Sequence, residues 1–249
     1  MAEYDIALIA GRREVLLRRT LASFSEQMFR NFKIARVVAN IDPFMGDADE
    51  GDRCEALIRE YFPEATIFRP ETPDFASAVA RAWAATTASR VIHMEDDWIS
   101  LELIEESRVD ALFEPGVGSI AFMHGNKHTR GLTYQTVVRR FRDPAGNRAA
   151  ELKNCHSTSP GVFDGAFLRK AASLMRPKMD PEAQFSRALN PELEEHAFPM
   201  RCVFLNGRKS RFLIEDIGRE YRAAHGVVRA RNRLEAIWIQ LPKPDATEA

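Results

Sequence analysis

Val91-Ile92-His93-Met94-Glu95-Asp96-Asp97-Trp98 runs from apolar residues straight into three consecutive carboxylates. An apolar run that stops at acids reads as a buried strand whose carboxyl end opens onto a site. In open α/β sheets that end of the strands is where ligands sit. Three neighbouring acids repel one another unless a cation or a basic partner neutralises them. Their oxygens suit a hard divalent ion, Mg²⁺ or Mn²⁺. The bland alternative is a solvated acidic turn. Acids capping a strand, rather than lying along a helix face, favour the site. On an extended backbone Asp96 would point away from Glu95 and Asp97, where it could serve structure by pairing an arginine.

Upstream of the motif, strands and helices alternate. Residues 5–10 (DIALIA) read as a strand, and Leu16, Leu17, Leu21 and Phe24 then recur at helical spacing. Residues 34–39 (IARVVA) form a second strand that ends at Asn40-Ile41-Asp42-Pro43. An acidic loop at 44–50, a helix over 52–62 and a short strand over 65–68 follow. Pro70 and Pro73 punctuate a loop, and residues 76–86 make an alanine-rich helix. This alternation implies an α/β fold with a mostly parallel central sheet and helices on both faces. Downstream the pattern gives a helix over 101–112, a strand over 116–123, a polar segment at 124–131 and a strand over 134–141. A turn at 144–147 precedes a helix over 166–175. Residues 180–196 are helical apart from an interruption at Asn190-Pro191, and short strands at 201–205 and 211–214 flank Asn206-Gly207. The tail from Lys243 is polar and expected to fray.

Composition narrows the class. The 249 residues are 45% hydrophobic and 29% charged, enough for an ordinary core in one large domain or two joined halves. A net charge of −1, from 35 basic and 36 acidic residues, suggests no general affinity for nucleic acid. Cys54, Cys155 and Cys202 are far apart and form no CxxC pair, so neither a zinc site nor a disulfide framework is expected. The default setting is cytoplasmic or peripheral at a membrane surface, since no apolar run reaches the length of a membrane span.

Over residues 5–98 the chain resembles the GT-A glycosyltransferases, particularly the large family 2 type. Leu21-Ala22-Ser23-Phe24-Ser25-Glu26-Gln27, the strand running to Asp42, the alanine-rich helix and Glu95-Asp96-Asp97 in the position of a DxD motif carry the likeness. Three departures mark it as divergent. Glu95 stands for the usual first Asp, Asn40-Ile41-Asp42-Pro43 replaces an Asp-Asp-Gly-Ser type ending, and the helix at 76–85 lacks the usual Asn. The resemblance implies a Rossmann-like GT-A fold with a donor half at 1–98 and an acceptor and catalytic half at 99–249. The implied activity is transfer of a sugar from a nucleotide-sugar donor to an acceptor hydroxyl on a glycan, a lipid-linked molecule or a protein. Inversion and dependence on Mn²⁺ or Mg²⁺ are part of that implication.

Roles can then be assigned to residues. A divalent ion would stabilise the charge on the leaving diphosphate, with Asp97 as its direct ligand. Glu95 would hold it through water or face the ribose, and His225 matches the late histidine that completes the shell in many GT-A enzymes. Asp42 would hydrogen-bond base or ribose. Arg12, with Arg13 beside it, would face phosphate or base, and Arg69 and Asp74 would contact the nucleotide from the proline loop. Asp96 is counted with the donor-binding set. The general base that deprotonates the acceptor is Asp216, next to Glu215, or alternatively Glu182. His93 reads as a core residue, His124 and His128 as acceptor-facing, and Trp98 as a ring that stacks on a sugar or packs in the core. Two rivals are a nucleotidyltransferase, for which Ala10-Gly11-Arg12-Arg13 is poor in glycine, and a non-catalytic carbohydrate-binding protein, against which the dense acids argue.

Overall fold

β1 (Tyr4–Ala10) is buried along its whole length, and its side chains alternate between two apolar clusters. Tyr4, Ile6, Leu8 and Ala10 join Leu17, Leu21 and Phe24 of α1 (Glu14–Gln27). Ala7 and Ile9 turn to the other face. β2 (Ile34–Ile41), α2 (Ala48–Tyr61), β3 (Thr66–Phe68), α3 (Phe75–Ala84) and β4 (Arg90–Glu95) follow in order. α2 adds Leu57 and Ile58 to the first cluster, and α3 covers the second with Ala78, Val79, Ala82 and Trp83. A strand apolar on both faces is what a sheet covered by helices on each side requires. The computed structural model describes residues 2–125, 137–153, 155–185, 189–208, 211–229 and 238–240.

The remaining strands are β5 (Trp98–Ser100), β6 (Val117–Phe122), β7 (Val137–Arg142), β8 (Arg148–Lys153), β9 (Gly161–Asp164), β10 (Arg201–Leu205), β11 (Ile214–Asp216), β12 (Val227–Arg229) and β13 (Trp238–Gln240). Among the described residues, nine strands form one sheet in the order β3-β2-β1-β4-β9-β6-β10-β8-β7. β9 runs against both β4 and β6, and β8 runs against β10 and β7. The other seven strands share one direction, so the sheet is mostly parallel. β11 pairs with β5 and β12 with β13 in two small antiparallel ribbons. Among the described residues, no helix is long and apolar enough to cross a membrane.

Several boundaries differ from the sequence pattern. The helix expected over 52–62 begins at Ala48, because the Asp47 carboxylate accepts the Glu50 N–H at 2.8 Å and caps it. The expected helix over 101–112 is reduced to Glu106–Asp110. The strand expected over 211–214 sits at Ile214–Asp216, where it pairs with β5. Within 180–196 the helical parts are a 3-10 turn at Ala183–Phe185 and a helix at Pro191–Ala197, with 186–188 outside the described residues. Residues 134–136, His128 and the tail from Lys243 also lie outside them.

His93 is the buried core residue expected of it. Its Nδ1 accepts the Trp83 indole N–H at 3.0 Å, and burial pushes its pKa from 6.5 down to about 4. The unfolded chain therefore binds the extra proton between those values, so stability falls as pH drops from 6.5 towards 4. The loss reaches about 3 kcal/mol by pH 4. Urea unfolding at pH 7 and pH 4 should show His93→Gln losing that much less than the wild type. Equal losses in the two proteins would contradict the assignment.

Candidate active site

The carboxyl ends of β1, β2 and β4 open onto a cavity of about 1030 Å³. β4 stops at Glu95, and Asp96 and Asp97 form a turn into β5 instead of continuing as extended chain. All three acids consequently line the same cavity. Arg13, the second of two arginines after β1, forks onto Asp96: Nη2 pairs with Oδ1 and Nε donates to Oδ2 at 3.2 Å. The Gly11 N–H adds a bond to Oδ2 at 2.9 Å. Burial disfavours the charged form of Arg13, but Asp96 and then Asp97 outweigh it and raise the guanidinium pKa. Asp97 Oδ2 accepts Arg13 Nη1 at 3.2 Å and Arg222 Nη1 at 2.6 Å. Glu95 Oε2 accepts the Trp98 indole N–H at 3.0 Å. Burial, then the nearby Asp97 and Glu182, push the Glu95 carboxyl well above the usual range.

The β5–β11 ribbon sets Asp216 opposite Trp98 and delivers a short helix, Gly218–Ala224, over the acid motif. The Ile217 N–H donates to the Asp97 carbonyl at 2.9 Å. A Cβ at Gly218 would overlap Asp97 Oδ2, so only glycine allows this approach. Asp216 Oδ1 accepts the N–H groups of Gly218 and Arg219 at 3.0 and 3.2 Å, the work of a cap. Burial, then Asp97, raise its pKa. Glu182 lines the cavity and is exposed to it, with Oε2 accepting the Ser157 hydroxyl at 3.1 Å. Lys178, on the loop before it, adopts a left-handed backbone (φ 63°), held by N–H bonds to both Asp74 oxygens. Strain of that kind concentrates at functional loops.

At the far end, Asp42 accepts the Asn40 side-chain N–H at 3.2 Å and the Asp74 backbone N–H at 3.0 Å. Burial raises its pKa. Phe44, Asp74 and Phe75 line this end too. Four of the residues singled out from sequence are not among the lining residues. Arg12 and Arg69 instead pack over Gly51 of α2, where Arg69 pairs with Asp52 at 2.6 Å and Glu55 at 3.2 Å. Glu215 is exposed on β11, facing away from its neighbours Ile214 and Asp216 by strand alternation. His225 is exposed, stacked on Tyr221 and donating from Nδ1 to that residue's carbonyl at 2.8 Å. Ser157 and Lys178 did not stand out in sequence; Arg13, expected with Arg12 to face phosphate or base, lines the cavity but is bound to Asp96 and Asp97.

A divalent cation fits the chemistry of this cavity. Eight of the lining side chains are Asp or Glu and four are Arg or Lys, an excess of negative charge. Among the described residues no three His, Cys, Asp or Glu side chains are grouped to hold a metal alone. The protein would supply Asp97 and Glu95, and substrate phosphates and water the rest, as is usual for Mg²⁺.

No protein-family model and no curated protein sequence matches the chain. Solved glycosyltransferase structures do. The mannosyltransferase PcManGT from Pyrobaculum calidifontis, in complex with GDP-Man and Mn²⁺, is 12% identical at a TM-score of 0.54, over 90% of this chain and 59% of that one. GalNAc-T7 with UDP, GalNAc and Mn²⁺ is 11% identical at 0.56, over 87% and 43%. TarS 1–349 of S. aureus with UDP-GlcNAc is 15% identical at 0.51, over 86% and 58%. This chain thus spans between 43% and 59% of the length of those solved chains. It has the GT-A fold they share.

Proposed function

We propose that the protein transfers a glycosyl group from a nucleotide-sugar donor to an acceptor hydroxyl. The supporting observation is that one cavity, at the carboxyl ends of β1, β2 and β4, holds both the acid motif and the accessible carboxylate of Glu182. Its volume is at the upper end of small-ligand sites, enough for a nucleotide and a sugar. Residues 1–98 supply the donor end. There Asp42 accepts a hydrogen bond from base or ribose, and Phe44 and Phe75 flank the base. Asp97 and Glu95 would hold the divalent cation, which when bound would supply charge neutralisation for the departing diphosphate. Residues 99–249 supply the acceptor side. Glu182, oriented by the Ser157 hydroxyl, takes the acceptor proton as the oxygen attacks. A single displacement with one base inverts the anomeric centre.

A thermal-shift panel of nucleoside diphosphates with and without Mn²⁺ or Mg²⁺ tests this reading. One nucleoside diphosphate together with the cation should stabilise the protein by about 2.7 kcal/mol at a hundredfold excess over its Kd. Asp97→Asn should erase the cation-dependent part. A response confined to nucleoside triphosphates would point to nucleotidyl transfer instead, and a response to glycans without metal to a binding module.

A further inference from the structure

Asp97 is the carboxylate a cation needs most, yet its Oδ2 already carries two guanidiniums. They differ in standing. Arg13 is anchored by its fork on Asp96 and touches Asp97 only at 3.2 Å. Arg222 makes the short bond, 2.6 Å, from a seven-residue helix with an exposed outer side. Its Nη2 lies 3.8 Å from Asp216, an acid on its own segment about which the side chain can pivot. A divalent ion on Oδ2 would meet both guanidiniums at contact, and like charges that close repel by kilocalories even at moderate dielectric, so the more loosely held arginine gives way.

We propose that Arg222 and the divalent cation compete for Asp97. On this account, which rests on the nucleotide-sugar reading above, the free protein binds the cation weakly and takes it up together with a nucleoside diphosphate. Arg222 then moves from the carboxylate to the phosphates. Three features support the exchange. Arg222 lines the cavity, so phosphate oxygens come within its reach. The guanidinium fork matches a phosphate as well as it matches a carboxylate. The Gly218 backbone and the Ile217 N–H keep the segment seated on Asp97 while the side chain swings. Arg222 is accordingly a substrate-binding residue that doubles as a stand-in for the metal.

The test measures Mn²⁺ affinity directly, by the paramagnetic resonance of the free ion, with and without the nucleoside diphosphate that stabilises the protein best. Wild-type protein should bind Mn²⁺ at least about tenfold more tightly in its presence, the size of one charge-assisted contact. Arg222→Met should shift the two affinities in opposite directions. Mn²⁺ alone should bind about tenfold more tightly than to wild type, and the nucleoside diphosphate with Mn²⁺ about 10- to 100-fold more weakly. Arg222→Lys, which keeps the charge but loses the fork, should fall between. A merely structural role for Arg222 would weaken both affinities together, and that outcome overturns the proposal. So does a wild-type Mn²⁺ affinity indifferent to nucleotide, a measurement that needs no variant. If no nucleoside diphosphate binds even with Mn²⁺, the transferase reading falls and takes the exchange with it. Nucleotide binding without the opposed shifts removes the exchange alone.

Discussion

Glu182→Gln is expected to lower kcat for glycosyl transfer by about 10²- to 10⁴-fold while leaving nucleoside diphosphate binding within about twofold. The amide keeps the shape and can still accept the Ser157 hydroxyl through its oxygen, so the bond at 3.1 Å has a replacement. What it cannot do is take a proton from the acceptor. The rival base is Asp216, and the geometry separates the two. Asp216 Oδ1 is committed to the N–H groups of Gly218 and Arg219, and Arg222 stands 3.8 Å away. Asp216→Asn should therefore act on binding of the diphosphate, through the segment that carries Arg222, more than on the rate of the bound complex. Rates measured at saturating donor decide between them. A deep kcat loss in Asp216→Asn with a mild one in Glu182→Gln would exchange the two roles.

The second large effect is on stability. Trp83→Ala should cost about 3–5 kcal/mol, a fall in melting temperature on the order of 10 °C for a chain of this size. Trp83 is fully buried in the cluster on the α3 face of the sheet, with Phe163 at 5.5 Å and Phe185 at 6.3 Å between ring centres. Removing the indole leaves a cavity and also deprives His93 Nδ1 of its donor. Phe185 closes the 3-10 turn that begins one residue after Glu182, so a slack Trp83 site should also loosen the base. Chemical denaturation gives the first quantity and kcat the second. A loss below about 1 kcal/mol would mean that this face is not the continuous core described above.

Much of the first half was legible because its signals are local. The alternation of β1, the leucine spacing of α1 and the run into Glu95-Asp96-Asp97 each need only a few neighbouring residues to be recognised. Asp47 followed by Glu50 was a legible helix start as well, and reading 44–50 as loop missed it. The second half failed where the information is tertiary. β9 is four residues, Gly161–Asp164, whose place between β4 and β6 no periodicity announces. β5 and β11 are three residues each, and they pair across more than a hundred positions. The same holds within the site. That acids gather at the end of β4 follows from sequence. That Asp96 belongs to Arg13 and Asp97 to Arg222 follows only from a turn and a ribbon that fold the chain back on itself. Arg12 and Arg13 are equivalent on paper, and the backbone at Gly11 sends one to α2 and the other to the acids.

The 125 positions between Asp97 and Arg222 also set a schedule. Every described strand of the large sheet is encoded by residue 205. At ribosomal speeds the whole of that separation takes about 6–25 s to synthesise, and through that interval Arg13, made long before, is the one of the two arginines available to the acid motif. The nascent polypeptide thus completes its scaffold first and acquires its phosphate-seeking arm last.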